Sequence, residues 1–511
     1  MTAKRKKARR GPRTSGLGPP VGTQSPAPPA APSGSTSEAR SPKSEVRSPA
    51  FWFSFEVSWS KLALGRVVVF SLLALDALMQ LRHAPRYGAG GFNVGQISLF
   101  DSLGPSRVTY TLGELVNAYL FATIAFGIGT RAAVPIAAAI YSYLYFGSQL
   151  DSYQHHYLVA LVLWLCCFVP WERPAGATAA TPIRSWALRL VLVQIAIMYL
   201  WAAISKMSPA WWDGATLGQQ ITGPLRKLID ATLGIRATSR LVIPTELVLA
   251  ATIWLKPAWR FAAPLGIAFH LGIVASGLEI GLFAWLMIAM YAFIVPDAIW
   301  IAIARAVSHL RLAEVARSLA TRSAWLTFAV AAALSIACAA ACRFPYTLAL
   351  GIVLGVVLGA RAFRAVVRGR PSVATLGLVH FIAIAVWLVV DRQSAVAGDY
   401  FRFWGASERR FGSQDAALDA YSHLVEITPD DPGARYHLGI LLLGHDRADE
   451  GLAELHASEQ LDPIHARAFV AEGRWLAEHG RRDEAMTAAR SALQAEPEDR
   501  DARALAESLK R

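Results

Sequence analysis

The sequence predicts an all-α protein: a polytopic transmembrane helical bundle of about eleven spans, followed by an α-solenoid of three repeated helix pairs and a capping helix. Three observations predict it. Long apolar runs separated by short charged loops fill residues 60 to 391, the composition turns to Ala, Glu, Asp, Arg and Leu after residue 397, and prolines and glycines there recur at one fixed interval. Of the 511 residues, 54% are hydrophobic and 17% charged, with 16 tryptophans, more apolar surface than a soluble core of this size buries.

Residues 1–50 open with Lys4, Arg5, Lys6, Lys7, Arg9, Arg10 and Arg13 and continue as a Pro/Ala/Ser/Gly tract with almost nothing to bury, so a disordered basic tail is expected. It is too long ahead of the first apolar run for a secretory signal, and its charge marks the cytoplasmic side. The eleven runs lie at 62–81, 111–130, 132–150, 155–171, 186–205, 241–256, 261–279, 280–304, 323–342, 344–360 and 373–391. A helix satisfies its own backbone polar groups in lipid, which is why each run reads as a span. An odd count with the N-terminus inside puts most short-loop arginines in the cytoplasm. The loop 207–240 departs from this, with Arg226, Lys227, Arg236 and Arg240 on the outer face. There Thr222-Gly223-Pro224, followed by Leu225, Leu228 and Ile229, reads as a short amphipathic helix lying on the surface.

Beyond residue 397, Pro429, Pro463 and Pro497 stand 34 residues apart, and Gly405, Gly439 and Gly473 keep the same interval. Thirty-four is the period of tetratricopeptide (TPR) repeats. In each unit the glycine lets the first helix approach its neighbour, Ala417, Gly451 or Ala485 begins the packed face of the second, and the proline ends the unit. Ala502, Leu505 and Leu509, at helical spacing, supply the cap that such a stack needs. The expected organisation is a tail over 1–50, a transmembrane domain over 55–305, additional spans over 306–397 and a repeat domain over 398–511.

The net charge of +13 lies in the tail and the inner loops, without the basic-aromatic motifs that accompany nucleic-acid binding, so nucleic acid is excluded as a partner. Cys166, Cys167, Cys338 and Cys342 fall inside apolar runs without spaced Cys/His partners; they read as packing residues, and no metal site is expected. A transporter would show inverted repeats or paired broken helices, and neither is found.

An ionisable side chain inside lipid costs on the order of 3 kcal/mol unless paired or hydrated, which makes each one informative. Arg66, Glu114 and Glu279 sit near span ends, where hydrated or snorkelling side chains are the default. Asp76 and Glu246 lie deeper, where pairing with an arginine across a helix contact would satisfy them. His155, His156, Lys206 and His270 complete the set. The topology sends His155, Lys206 and His270 to one outward-opening chamber. Each also has a plainer reading: His155 as part of an interfacial belt with His156 and Tyr157, His270 as donor to a backbone carbonyl, and Lys206 as an anchor beside Trp211 and Trp212. In apolar surroundings, by contrast, a lysine favours its uncharged form and takes a proton near neutral pH.

The segment Tyr199-Leu-Trp-Ala-Ala-Ile-Ser-Lys206-Met-Ser-Pro-Ala-Trp211-Trp-Asp-Gly214 resembles the lysine motif of vitamin K-dependent gamma-carboxylases and their bacterial relatives, the horizontally transferred transmembrane (HTTM) domain proteins. The stretches "YQHHYLVALVLWLCCFVP" at 153–170 and "FHLGIVASGLEIGLFAWLMIAMYAFIVP" at 269–296 resemble later helices of that family in order and spacing. The resemblance covers roughly residues 55–305. It implies that Lys206 is the base that deprotonates reduced vitamin K, after which oxygen turns the quinol into a strong base and carbon dioxide adds to a glutamate carbanion. By position it also implies that His155 is a chamber histidine and His270 a second polar site residue. Ser205 stands where the carboxylases carry a second lysine and Gln154 where they carry asparagine; in place of their lumenal domain come three further spans and the repeats.

The expectation is therefore a multi-pass membrane enzyme using Lys206, His155 and His270 on a quinol-like lipophilic substrate, with reduced vitamin K or a related quinol as cofactor. Its partners would be membrane lipids and a protein or peptide held on the concave face of the repeats. The alternative is a non-catalytic membrane-tethered repeat scaffold or assembly factor. The expected location is the bacterial inner membrane, with the N-terminus cytoplasmic and the repeats outside.

Overall fold

The computed structural model describes residues 49–87, 94–125, 127, 129–151, 153–277, 280–309 and 397–510. Residue 50 onward forms one compact unit. Of the sequence-based expectations, the basic tail, the runs 323–342, 344–360 and 373–391, Glu279, Cys338 and Cys342 lie outside the described residues.

The transmembrane region opens with strand β1 (Glu56–Ser58), which pairs antiparallel with β2 (Pro182–Arg184). Between and after them run α1 (Trp59–Gln80), α2 (Arg107–Ala125), α3 (Thr130–Phe146), α4 (Gln154–Cys166), α5 (Trp186–Ser205), α6 (Gly223–Ala231), α7 (Ile235–Thr252), α8 (Trp259–Ala275), α9 (Phe283–Met290) and α10 (Asp297–His309). Each of α1 to α4 packs on its successor, α5 then on α7, α7 on α8, α8 on α9 and α9 back on α1, which closes the bundle. Serines begin the two long apolar helices: Ser58 accepts from the Lys61 amide and Ser185 from the Leu188 amide, satisfying donors that a helix start leaves open. Ser58 also donates its amide to Asp297 Oδ1 at 2.7 Å, and Lys61 Nζ reaches Asp297 Oδ2 at 3.1 Å, so the domain's first and last elements are clasped.

The span count is corrected. Among the described residues three helices are long and apolar enough to cross a membrane, 59–87, 186–205 and 256–275, or up to four if a bent pair counts as one span. The run 280–304 is that pair, bent by 98° between 283–293 and 297–308. Its break falls at Pro296, whose ring bars continuation of the helix. Helices α3 and α4, with 17 and 13 residues, are shorter than the roughly 20 that a bilayer asks. Helices α2 and α7 carry Arg107, Glu114 and Asn117, and Arg236, Arg240 and Glu246, respectively. Within the described residues the apolar runs thus marked helices, but overstated how many fit a bilayer by length and composition.

Four interior polar residues also differ from expectation. Arg66 does not snorkel: it is buried, donates to the Ala125 and Trp171 carbonyls, and so satisfies chain ends that no helix continues. Glu114 is buried rather than hydrated. Asp76 accepts from Gln80 at 3.4 Å, one turn away, rather than from an arginine. Glu246 pairs with a lysine. Short helices at Pro209–Trp212 and Ala215–Gln220 precede α6, which lies where the amphipathic piece was expected and turns Ile229 inward while Leu228 is exposed.

The repeat region contains a helix over 397–411, then α11 (Gln414–Ile427), α12 (Pro432–Gly444), α13 (Ala448–Leu461), α14 (Arg467–Glu478), α15 (Arg482–Ala495) and α16 (Arg500–Lys510). These make three antiparallel helix pairs and a terminal helix, with α11, α13 and α15 starting 34 residues apart. The glycines do the expected work. A Cβ on Gly405 would lie 2.6 Å from the Tyr421 ring, one on Gly439 2.9 Å from Leu455 and one on Gly473 2.7 Å from Leu505. The first repeat helix packs on the bundle: Tyr400 and Phe401 join Tyr87, Tyr110 and Leu144 in one apolar cluster, and Arg82 pairs with Asp399 at 3.2 Å.

Candidate functional site

Lys206 is the C-cap of α5, immediately before the Ser208-capped turn that carries Trp211. On α5, Tyr199, Ala203 and Lys206 share one face by helical spacing, while Leu200, Trp201 and Ile204 point out of the bundle. Lys206 Nζ donates to Glu246 Oε1 on α7 at 2.9 Å and to the Ala202 carbonyl at 3.3 Å, and it lies 5.2 Å from the centre of the Trp211 ring. The Lys206 side chain is 21% exposed and that of Glu246 5%. Lys206 is therefore neither a freely snorkelling anchor nor an unpartnered dry amine. It sits half-sheltered against a buried carboxylate, whose second oxygen, Oε2, has no hydrogen-bond partner among the described residues.

His270, on α8, is buried at 3% exposure. Its Nε2 lies 2.6 Å from the Tyr199 hydroxyl, not against a backbone carbonyl, and Tyr199 in turn meets the Tyr291 hydroxyl at 2.8 Å. Gly266 makes this chain possible, because a Cβ there would fall 1.9 Å from the Tyr291 ring. Tyr199 and Lys206 stand two turns apart on one face of α5, so the lysine pair and the histidine–tyrosine chain occupy neighbouring ground on that helix. Neither tyrosine was singled out in the sequence. The available signal was the seven-residue spacing from Tyr199 to Lys206, which puts both on one helix face.

His155 opens α4 at the end of the bundle, where its ring lies 5.2 Å from Phe283, 5.5 Å from Tyr153 and 4.3 Å from His156. The adjacent His156 turns elsewhere. Its Nδ1 lies 2.8 Å from the Tyr141 hydroxyl, and it lines a polar pocket with Gln80, Glu114 and Tyr145. A small apolar cavity of about 20 Å³ lies inside the bundle. Its lining is entirely nonpolar and includes Phe283, which touches His155, Ile195, one turn before Tyr199, and Met290, next to Tyr291. Geometry thus offers a basic group with a carboxylate behind it, a buried hydroxyl–imidazole chain and a small nonpolar cavity within one set of helices.

Comparison with known families resolves what this set of helices is. Residues 56–300 match the HTTM domain. The HTTM domain begins at β1 and closes just beyond Asp297, which is where the Lys61–Asp297 clasp joins its two ends. The match supports a membrane protein carrying that domain. No curated protein matches the chain. Among solved structures the chain is similar to YrrB, a TPR protein with an unusual peptide-binding site, at 22% identity over 32% of this chain and 89% of that one, with a TM-score of 0.21. The repeat reading here rests on the 34-residue spacing of the helices themselves.

Proposed function

We propose that this protein is a multi-pass membrane enzyme of the HTTM and vitamin K-dependent gamma-carboxylase-like group, with Lys206 acting as base on a quinol-like lipophilic substrate. The observation that carries the reading is the 2.9 Å contact between Lys206 and the buried Glu246. Glu246 would hold and orient the Lys206 side chain, and the amine so placed would take a proton from a substrate hydroxyl. The His270–Tyr199–Tyr291 chain would orient a polar head, and the nonpolar side chains beside it, Ile195, Phe283 and Met290 among them, would have to part to admit a lipophilic tail. Reduced vitamin K or a related quinol would supply an acidic hydroxyl and, with oxygen, a stronger base; Lys206 and His155 are the residues proposed to face it. The repeats would recruit a protein or peptide partner through their concave face.

The basic tail favours a bacterial inner-membrane protein with a cytoplasmic N-terminus. Since α1 to α5 alternate in direction, the repeats pack on the end of the bundle that carries Lys206 and His155; with the N-terminus cytoplasmic, that end would be extracytoplasmic. A reporter active only in the cytoplasm, fused after Arg511, is then expected to stay silent.

The chemical test is oxygen-dependent consumption of vitamin K hydroquinone by the purified protein in lipid. Wild type should exceed empty vesicles, and Lys206→Met should fall to their level while inserting at the same abundance. Equal rates in both proteins would leave the second reading, a membrane-tethered repeat scaffold in which the Lys206–Glu246 pair only ties α5 to α7.

A further inference from the structure

Where the second and third helix pairs of the array meet, three ligating side chains converge. His456 and Glu459 stand three residues apart on α13 and so share a face, and Glu472 projects toward them from α14. His456 Nε2 lies 2.7 Å from Glu472 Oε1, and one ligand atom from each of the three residues falls within 4.8 Å of the others. Glu459 Oε1 is buried and has no hydrogen-bond partner among the described residues. A buried carboxylate oxygen with no donor, set beside a second carboxylate, leaves an acceptor that a cation can take. The Glu472 side chain is 13% exposed and that of His456 53%, so the cluster has a walled side and a side open to water.

We propose that His456, Glu459 and Glu472 bind one first-row divalent cation, with Zn²⁺ the best match, and that the ion fastens the second helix pair to the third. Zinc takes imidazole nitrogen and carboxylate oxygen at about 2.0–2.2 Å in a tetrahedral shell, which sets its ligand atoms roughly 3.4 Å apart. The 2.7 Å contact has to open and the widest separation has to close by about an ångström each, within reach of side-chain rotation. Water fills the fourth position on the open side. The imidazole argues against calcium or magnesium, which prefer all-oxygen shells of six or more ligands.

The test uses the full chain, purified in detergent and stripped with a chelator, and titrated with Zn²⁺ in competition with a chromogenic chelator. Wild type is expected to take up one ion whose affinity falls at least tenfold in E459Q, in E472Q and in His456→Asn, and Zn²⁺ should raise the unfolding temperature of wild type alone. E459Q removes a like-charge contact and leaves the His456–Glu472 pair in place, so it is expected to fold at least as well as wild type without zinc, which keeps loss of binding distinct from loss of structure. No uptake by wild type, or the same stoichiometry and affinity in all three variants, would overturn the proposal.

Discussion

The HTTM domain and the repeat array are both helical, yet they hold together differently. In the array, successive helices pack mainly on their neighbours, and the spacing of glycines, alanines and prolines dictates those contacts. In the HTTM domain the decisive contacts join distant positions: Lys61 to Asp297 across 236 residues, Tyr199 to Tyr291 across 92 and Lys206 to Glu246 across 40. A periodic fold is specified locally, whereas a closed bundle is specified by which buried polar groups find one another.

The largest effect expected from breaking a distant contact is in Glu246→Ala. Removing one partner of a largely buried pair leaves the other charge without compensation, and should cost roughly 3 kcal/mol, somewhat less than a fully buried pair because Lys206 keeps some solvent. Chemical unfolding in detergent would show it, with Glu246→Gln milder.

The same substitution made at two helical glycines sharpens the comparison. Gly266→Ala must displace the Tyr291 ring, 1.9 Å from the new Cβ, and is expected to destabilise by about 2 kcal/mol even after the gain in helix propensity. Gly439→Ala meets Leu455 Cγ at 2.9 Å and the Gly451 carbonyl oxygen at 3.0 Å, a milder overlap that should cost about 1 kcal/mol after the propensity gain, less than at Gly266. Thermal unfolding of both variants, followed by circular dichroism, checks the order.

The smallest effect is in pH. Burial, with Arg409 and Arg467 nearby, holds the His437 imidazole down to about 4. Its folded value lies below the unfolded one, so the unfolded chain binds the proton first, and stability that is full above about pH 6.5 is lost as pH falls toward 4. The unfolding temperature of His437→Gln should therefore depend on pH between 7 and 4.5 differently from wild type, losing the fall that His437 contributes.

How much could be read from the residues follows the same division. The helix pairs of the array were legible because proline, glycine and alanine act within one repeat, and the 34-residue interval carried over into the helix starts. In the bundle, the run 186–205 became a helix with those bounds, since Ser185 caps it and Ser208-Pro209 follows it. Span counting from apolarity alone failed at α3, α4 and the bent 283–308 pair, because hydrophobic runs persist through turns that glycine and proline impose. Lys206, His155 and His270 were each visible as polar residues in apolar surroundings. Their partners were not, since nothing in a linear pattern tells Glu246 to choose Lys206, or turns His156 toward Tyr141 while His155 meets Phe283.

The central claim is that Glu246 and the end of α5 shelter one amine. Reductive methylation of the folded protein in detergent, quantified by mass spectrometry, tests it by comparing Lys206 with the exposed Lys227. Lys206 should react at least tenfold more slowly than Lys227 in wild type and approach the Lys227 rate in Glu246→Ala. Equal rates for the two lysines in wild type would contradict the account.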